Sequence, residues 1–192
     1  MRKVNSSNQS IVAGSLGAVA RKNGTSIAQG FMNVKAFVMV DVSGSMMAGD
    51  AGNGRSRYEV ACEQLEHLQN QNPGEIAVAG FSDSANFSPS GVPVLSGGMT
   101  DMAKALKIML MADNTDIRLV LISDGEPDDE AKTLKIASQF KSKIDTIFVG
   151  SETGMGREFL KRLAAATGGI AVVNKTEDLG LLSENITRLI AA

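Results

Sequence analysis

Ala36-Phe-Val-Met-Val-Asp41-Val-Ser43-Gly-Ser45-Met46 is the stretch that decides the fold. An apolar run that stops at an aspartate and a Ser-Gly-Ser turn reads as a short strand, buried on both faces, with polar side chains at its carboxyl end. Similar runs recur at 76–81, 117–122, 144–149 and 170–173, with helical periodicity between them. Strands alternating with helices predict an α/β, Rossmann-like doubly wound sheet, mostly parallel, with helices on both faces. Around 87–95 the pattern is broken by Pro89, Gly91 and Pro93. That piece reads as an antiparallel edge strand or a loop, since proline cannot donate to a central ladder.

The helices announce their ends. Pro127 fits a first helical turn with Asp128, Asp129 and Glu130, and Lys141 and Lys143 stand at the far end, a charge order that suits the helix dipole. The inner stripe of this helix reads as Ala131, Leu134, Ala137 and Phe140. The next helix turns Phe159, Leu160, Leu163 and Ala164 inward and stops at Gly168-Gly169. Thr176 is positioned to cap a last helix whose apolar residues are Leu179, Leu182, Ile186 and Leu189.

A chain of 192 residues suits one domain with one sizeable core. Hydrophobic residues at 43% and charged residues at 21% argue for a globular protein and against disorder. Nineteen basic and 21 acidic side chains leave a net charge of −2, and no basic stripe is present, so nucleic acid is not the expected partner. The single cysteine, Cys62, excludes an intramolecular disulfide and a multi-cysteine zinc site. With Tyr58, Ala61, Leu65 and Leu68 at helical spacing it reads as a small core thiol. His67, the only histidine, falls on another face of that helix and reads as a surface residue.

Residues 1–33 read as a helical N-terminal extension to a domain spanning 34–192. Arg2 and Lys3 precede a weakly apolar run at 11–20, which gives the segment some likeness to a secretory signal. The polar stretch 5–10 and the interruptions at Gly14, Ser15 and Gly17 argue against that, and the run is too short to span a membrane. Ile11, Val12, Leu16 and Val19 instead suggest a short amphipathic helix ending near Asn23-Gly24. The expected compartment is the cytoplasm.

In open α/β sheets, ligands bind beyond the carboxyl ends of the strands. Three segments send oxygen-bearing side chains there: Asp41, Ser43 and Ser45 after the first strand, Thr100 and Asp101 after the Gly97-Gly98 turn, and Ser123-Asp124-Gly125. Asp50, Glu126, Asp128 and Asp129 border them. Carboxylates gathered at one rim repel each other unless a cation sits among them, and the hard oxygens suit Mg²⁺, Mn²⁺ or Ca²⁺ rather than zinc or copper. Asp128 and Asp129 have their own explanation as first-turn helix charges. Asp50 reads as part of a glycine-rich loop beside the site.

The stretches DVSGSM at 41–46, GGMTDMAKAL at 97–106 and LISDGEPDD at 121–129 together resemble the metal-ion-dependent adhesion site of von Willebrand factor A domains. The resemblance extends over about residues 34–190 and includes the order of strands and helices. It implies that Ser43, Ser45 and Thr100 contact a metal directly, while Asp41 and Asp124 do so directly or through water. It also implies a mechanism, in which neutral hydroxyl ligands leave the ion much of its charge and a partner protein's Asp or Glu completes the sphere. Small stand-alone bacterial relatives imply an AAA+ ATPase or a stress-operon component as that partner.

Other classes are weighed against this. A phosphohydrolase of the haloacid-dehalogenase type also has a strand-end aspartate at a Mg²⁺ site, but its second aspartate corresponds here to Ser43, a poor proton donor. No GxxxxGK[ST] loop exists, which removes an ATPase reading. The expectation is therefore a non-enzyme. A scaffold whose metal merely fixes loops stays open. Met46, Met47 and Met99 could give the rim adaptable apolar contacts, whereas Met39, Met102 and Met109 read as core filler.

Overall fold

The computed structural model describes residues 11–51, 53–113, 116–150 and 156–191. Six strands, β1 (Ala36–Asp41), β2 (Ile76–Phe81), β3 (Ala85–Phe87), β4 (Arg118–Ser123), β5 (Ile144–Gly150) and β6 (Ala171–Lys175), form one sheet in the order β3-β2-β1-β4-β5-β6. Only the β2–β3 pair is antiparallel. The α/β doubly wound fold expected from the sequence is the one observed.

Side chains alternate across the strands, so each strand serves two cores. Phe37, Met39, Ala79, Phe81, Leu119, Leu121 and Phe148 face one side. There they meet Met102, Leu106 and Met109 of α4 (Met102–Leu110) and Phe159, Leu160 and Leu163 of α6 (Gly156–Thr167). Val38, Val40, Val78, Val120, Ile122 and Ile147 face the other side. They meet Leu65 and Leu68 of α3 (Arg57–Gln71) and Leu182, Ile186 and Leu189 of α7 (Leu182–Ala191). Burial on both faces explains the continuous apolar runs. Met39, Met102 and Met109 are core filler as expected, each fully buried.

Several local expectations are corrected. The piece after Phe87 is a loop, one of its two expected forms, with Pro89 and Pro93 interrupting any ladder there, and the antiparallel edge strand ends just before it at Ala85–Phe87. The helix expected from Pro127 starts later, as α5 (Glu130–Ala137), because Asp129 caps it by accepting from the Lys132 N–H. Of the expected inner stripe, Ala137 is buried and Leu134 and Phe140 pack against the core, Thr133 and Ile136 join them, and only Ala131 at the start is exposed. Lys141 and Lys143 lie beyond its C-cap at Ser138, in the turn into β5, where the Lys141 and Ser142 N–H groups donate to Asp113. Thr176 opens a 3-10 turn, Thr176–Leu181, and does not cap the last α-helix, which begins only at Leu182.

The segment ahead of β1 folds onto this body. Ser15 caps α1 (Leu16–Lys22), which ends at Asn23 with Gly24 left-handed. The buried apolar side chains of this piece are Val12, Leu16 and Ala20, whereas Ile11 is exposed. The Val12 N–H donates to Ser90 O (3.0 Å) and the Gly17 N–H to Pro89 O (2.9 Å), which fixes the segment to the loop after β3. A Ser26/Gln29 capping box starts α2 (Ile27–Phe31), and Phe31 meets Phe37 and Phe87 edge-on, each at 6.2 Å. No helix among the described residues is long and apolar enough to cross a membrane.

Candidate metal centre

Register builds the site. Asp41 pairs with Phe81, and Val40 with Ile122, so β1 and β4 end level and present Asp41 and Ser123 side by side. Beyond β1 the chain must turn sharply. Asp41 starts that turn, its Oδ1 accepting the Ser43 N–H at 2.8 Å, as aspartates do in Asx turns. Its Oδ2 accepts the Ser123 hydroxyl at 2.6 Å. From Ser43 the polar chain continues. The Ser43 and Ser45 hydroxyls lie 3.1 Å apart, and Ser45 Oγ donates to Asp124 Oδ1 at 2.7 Å. Four of the five expected residues thus form one continuous hydrogen-bonded string.

Thr100, the fifth, arrives on another loop. Gly97 and Gly98 both have positive φ (66° and 85°), which allows the turn that brings the Gly98 carbonyl within 3.3 Å of the Gly44 N–H. Asp128 then clamps Thr100 from both sides: its Oδ1 accepts the Thr100 N–H (3.2 Å) and its N–H donates to Thr100 O (3.1 Å). A Cβ on Gly125 would lie 3.6 Å from Thr100 Oγ1, so the threonine hydroxyl faces the residue following Asp124. Among the described residues that hydroxyl has no hydrogen-bond partner. Asp129 and Asp101, by contrast, cap helices α5 and α4.

Asp41 is wholly buried, and among the described residues no cation touches it. Burial, and to a smaller extent the like charge of Asp124, push its carboxyl up to about 6 against the lowering effect of the Ser123 and Ser43 hydrogen bonds. Asp124 is different, because Arg57 Nη1 donates to its Oδ2 at 2.6 Å. Arg57 also forks onto Asp50, Nε to Oδ1 at 2.9 Å and Nη2 to Oδ2. Arg57 is the rim residue that sequence reasoning missed, whereas Ser123, placed at the rim by the sequence but not among the expected ligands, hydrogen-bonds Asp41. The sequence shows only that Arg55 and Arg57 are the sole Lys or Arg residues between 36 and 103, which does not say which of them reaches the rim.

Two carboxylates and three hydroxyls converging from three loops make a hard, oxygen-only donor set. Among the described residues no three His, Cys, Asp or Glu side chains gather as a metal cage, so such a set would rely on its hydroxyls and on waters. A buried carboxylate with no cation beside it among the described residues is the feature that a bound divalent cation would satisfy. Cys62 and His67 stand apart. Cys62 is half-buried beside Tyr58, its thiol pushed up to about 11 by burial, and His67 is exposed next to Gln71.

A mostly parallel α/β sheet with a polar site at the carboxyl ends of its central strands defines the class. The fold is that of the von Willebrand factor A domain. The chain is similar to an aerotolerance-related membrane protein of Bacteroides fragilis, with a TM-score of 0.62 and 16% identity over 82% of this chain and 98% of that one. It is similar to the corresponding domain of the type V pilus tip protein of Porphyromonas gingivalis, with a TM-score of 0.60 and 13% identity over 82% and 95%. A von Willebrand factor type A protein of Catenulispora acidiphila aligns with a TM-score of 0.56 and 17% identity over 83% of this chain and 42% of its own length. No protein-family model matches the sequence, and no curated protein sequence matches it.

Proposed function

We propose that the rim of β1 and β4 holds a divalent cation, Mg²⁺ or its hard substitutes Mn²⁺ and Ca²⁺, and through it binds a partner protein's Asp or Glu. The observation that carries this reading is the string Asp41–Ser43–Ser45–Asp124, which starts at a buried carboxylate with no cationic neighbour among the described residues. Ser43, Ser45 and Thr100 would supply hydroxyl oxygens, and Asp41 and Asp124 carboxylate oxygens, directly or through water. The ion supplies an electrophilic centre with an open position, because mostly neutral ligands leave its charge largely unspent. Exposed Met47 and Met99 flank the rim and offer apolar contact around the incoming carboxylate.

The reading is a cytoplasmic binding module and not an enzyme. One similar structure belongs to a pilus tip protein, which supports a role in protein assembly. An AAA+ ATPase or a stress-operon component is the kind of partner proposed. Against a phosphohydrolase, position 43 carries a serine already hydrogen-bonded to Ser45, which leaves no acid two residues from Asp41.

The test is retention of host-cell proteins on immobilised wild-type and Asp41→Ala protein, each with Mg²⁺ and with chelator. A partner held by wild type with Mg²⁺ alone is the expected result, and charge-neutral replacement of that partner's carboxylate should then release it. A partner held in all four conditions would sink the metal-mediated mechanism and favour the scaffold reading.

A further inference from the structure

Arg57 carries a consequence for the rim that the donor set alone does not. Its guanidinium spans two carboxylates, Nη1 on Asp124 Oδ2 at 2.6 Å and the Nε–Nη2 edge on Asp50. The Asp124 side chain is sealed from solvent and that of Arg57 is 14% exposed, so the contact is screened far less than a surface ion pair. The two site carboxylates are therefore unequal. Among the described residues Asp41 is met by neutral donors, Ser43 N–H and Ser123 O–H, whereas Asp124 already has a positive charge on its outer oxygen.

We propose that Arg57 is a resident counter-cation of the rim, sharing Asp124 with the divalent ion so that the ion is held weakly and exchangeably; this rests on the metal reading above. With Arg57 in place the group Asp41, Asp50, Asp124 and Arg57 sums to −2, where the three aspartates alone would offer −3. Asp124 Oδ1 accepts from Ser45 and Oδ2 from Arg57, so a cation held with the help of Asp124 would share that carboxylate with the guanidinium and be repelled by its like charge. Asp50 gives Arg57 a second seat. The bidentate fork on Asp50 keeps Arg57 partnered when a divalent ion draws on Asp124.

A plain brace would behave in the opposite way, since losing an arm that orients Asp124 weakens metal binding. The two roles are separated by titrating Mn²⁺ and Mg²⁺ alone into the full chain by calorimetry, for wild type, Arg57→Gln, Arg57→Lys and Asp50→Asn. Arg57→Gln should bind the cation about tenfold tighter. Arg57→Lys keeps the charge and loses the fork, so it should stay near wild type. Asp50→Asn leaves Arg57 on Asp124 alone and should bind more weakly. In chelator, Arg57→Gln should melt below wild type, because Asp124 then faces Asp41 without its counter-charge, and the shift on adding Mn²⁺ should be larger than in wild type. Cation binding that is equal or weaker in Arg57→Gln, or lost alike in Arg57→Gln and Arg57→Lys, would show a brace and overturn the proposal while leaving the metal reading intact. Should Arg57→Gln not fold, Arg57→Lys falling well below wild type, or Asp50→Asn binding as tightly as wild type, overturns it. Absence of cation binding in wild type and every variant would overturn the metal reading and this inference together.

Discussion

Asp41 shows how a single side chain can be costly to the fold and useful to the site. A carboxylate with no exposed surface gains two neutral hydrogen bonds, yet burial still pushes it up to about 6, so holding it ionised at neutral pH costs the metal-free protein roughly 2–3 kcal/mol. Asparagine can keep both contacts, its Oδ1 accepting the Ser43 N–H and its Nδ2 donating to Ser123 Oγ. Asp41→Asn is therefore expected to raise metal-free stability by about 1–3 kcal/mol, read from the urea midpoint in chelator at pH 7.5. The same variant should lose any stabilisation by Mg²⁺. A lower midpoint in chelator would mean that the charge itself holds the turn, which contradicts the desolvation argument. The five candidate residues could be read from the sequence because Asp-x-Ser-x-Ser and its two companion loops are local patterns. Arg57 could not, because its meaning depends on Asp124 lying 67 positions away.

At the scale of elements, the terminal segment is the part whose role the sequence left open. Its glycines explain how it docks. A Cβ on Gly17 would lie 2.5 Å from the Pro89 carbonyl oxygen, and one on Gly14 would collide with the backbone at Gln69. The Gly14 carbonyl meanwhile accepts the Gly74 N–H at 3.0 Å, and its N–H donates to Asn70 at 2.9 Å. Backbone approaches backbone here, and a methyl group would force it away. Gly14→Ala is expected to cost about 1–3 kcal/mol and to speed proteolytic cleavage ahead of β1, as overpacking does. Unchanged stability with slow cleavage would show that the contact yields freely. The interruptions that made the 11–20 run a poor signal sequence are the residues that fit it against α3 and the loop after β3. Helix starts were the least legible feature: α5 and α7 begin at the cap or turn that wins locally, Asp129 in one case and the 3-10 turn at Thr176–Leu181 in the other.

Across the whole molecule, the sheet was legible because strands buried on both faces leave short apolar runs, bounded by turn residues, between helical patterns. The order β3-β2-β1-β4-β5-β6 was not, since which strand neighbours which depends on long-range packing. That order has an energetic consequence, because the rim is built on β1 and β4, the two central strands, with β2 and β5 pairing outside them. A ligand seated there should stabilise the cooperative unit and not merely a loop. At a concentration one hundred times its Kd, a cation that binds only the native state adds about 2.7 kcal/mol. For a chain of this length, each kcal/mol moves the melting temperature by about 2–4 °C, so saturating Mg²⁺ should raise it by roughly 5–10 °C relative to chelator. Calorimetry should show the whole transition moving as one peak, and Ser43→Ala combined with Ser45→Ala should abolish the shift. A sharpened shoulder with an unmoved main peak would instead place the ion's effect on the loops alone, and no shift at all in wild type would remove the cation from the rim.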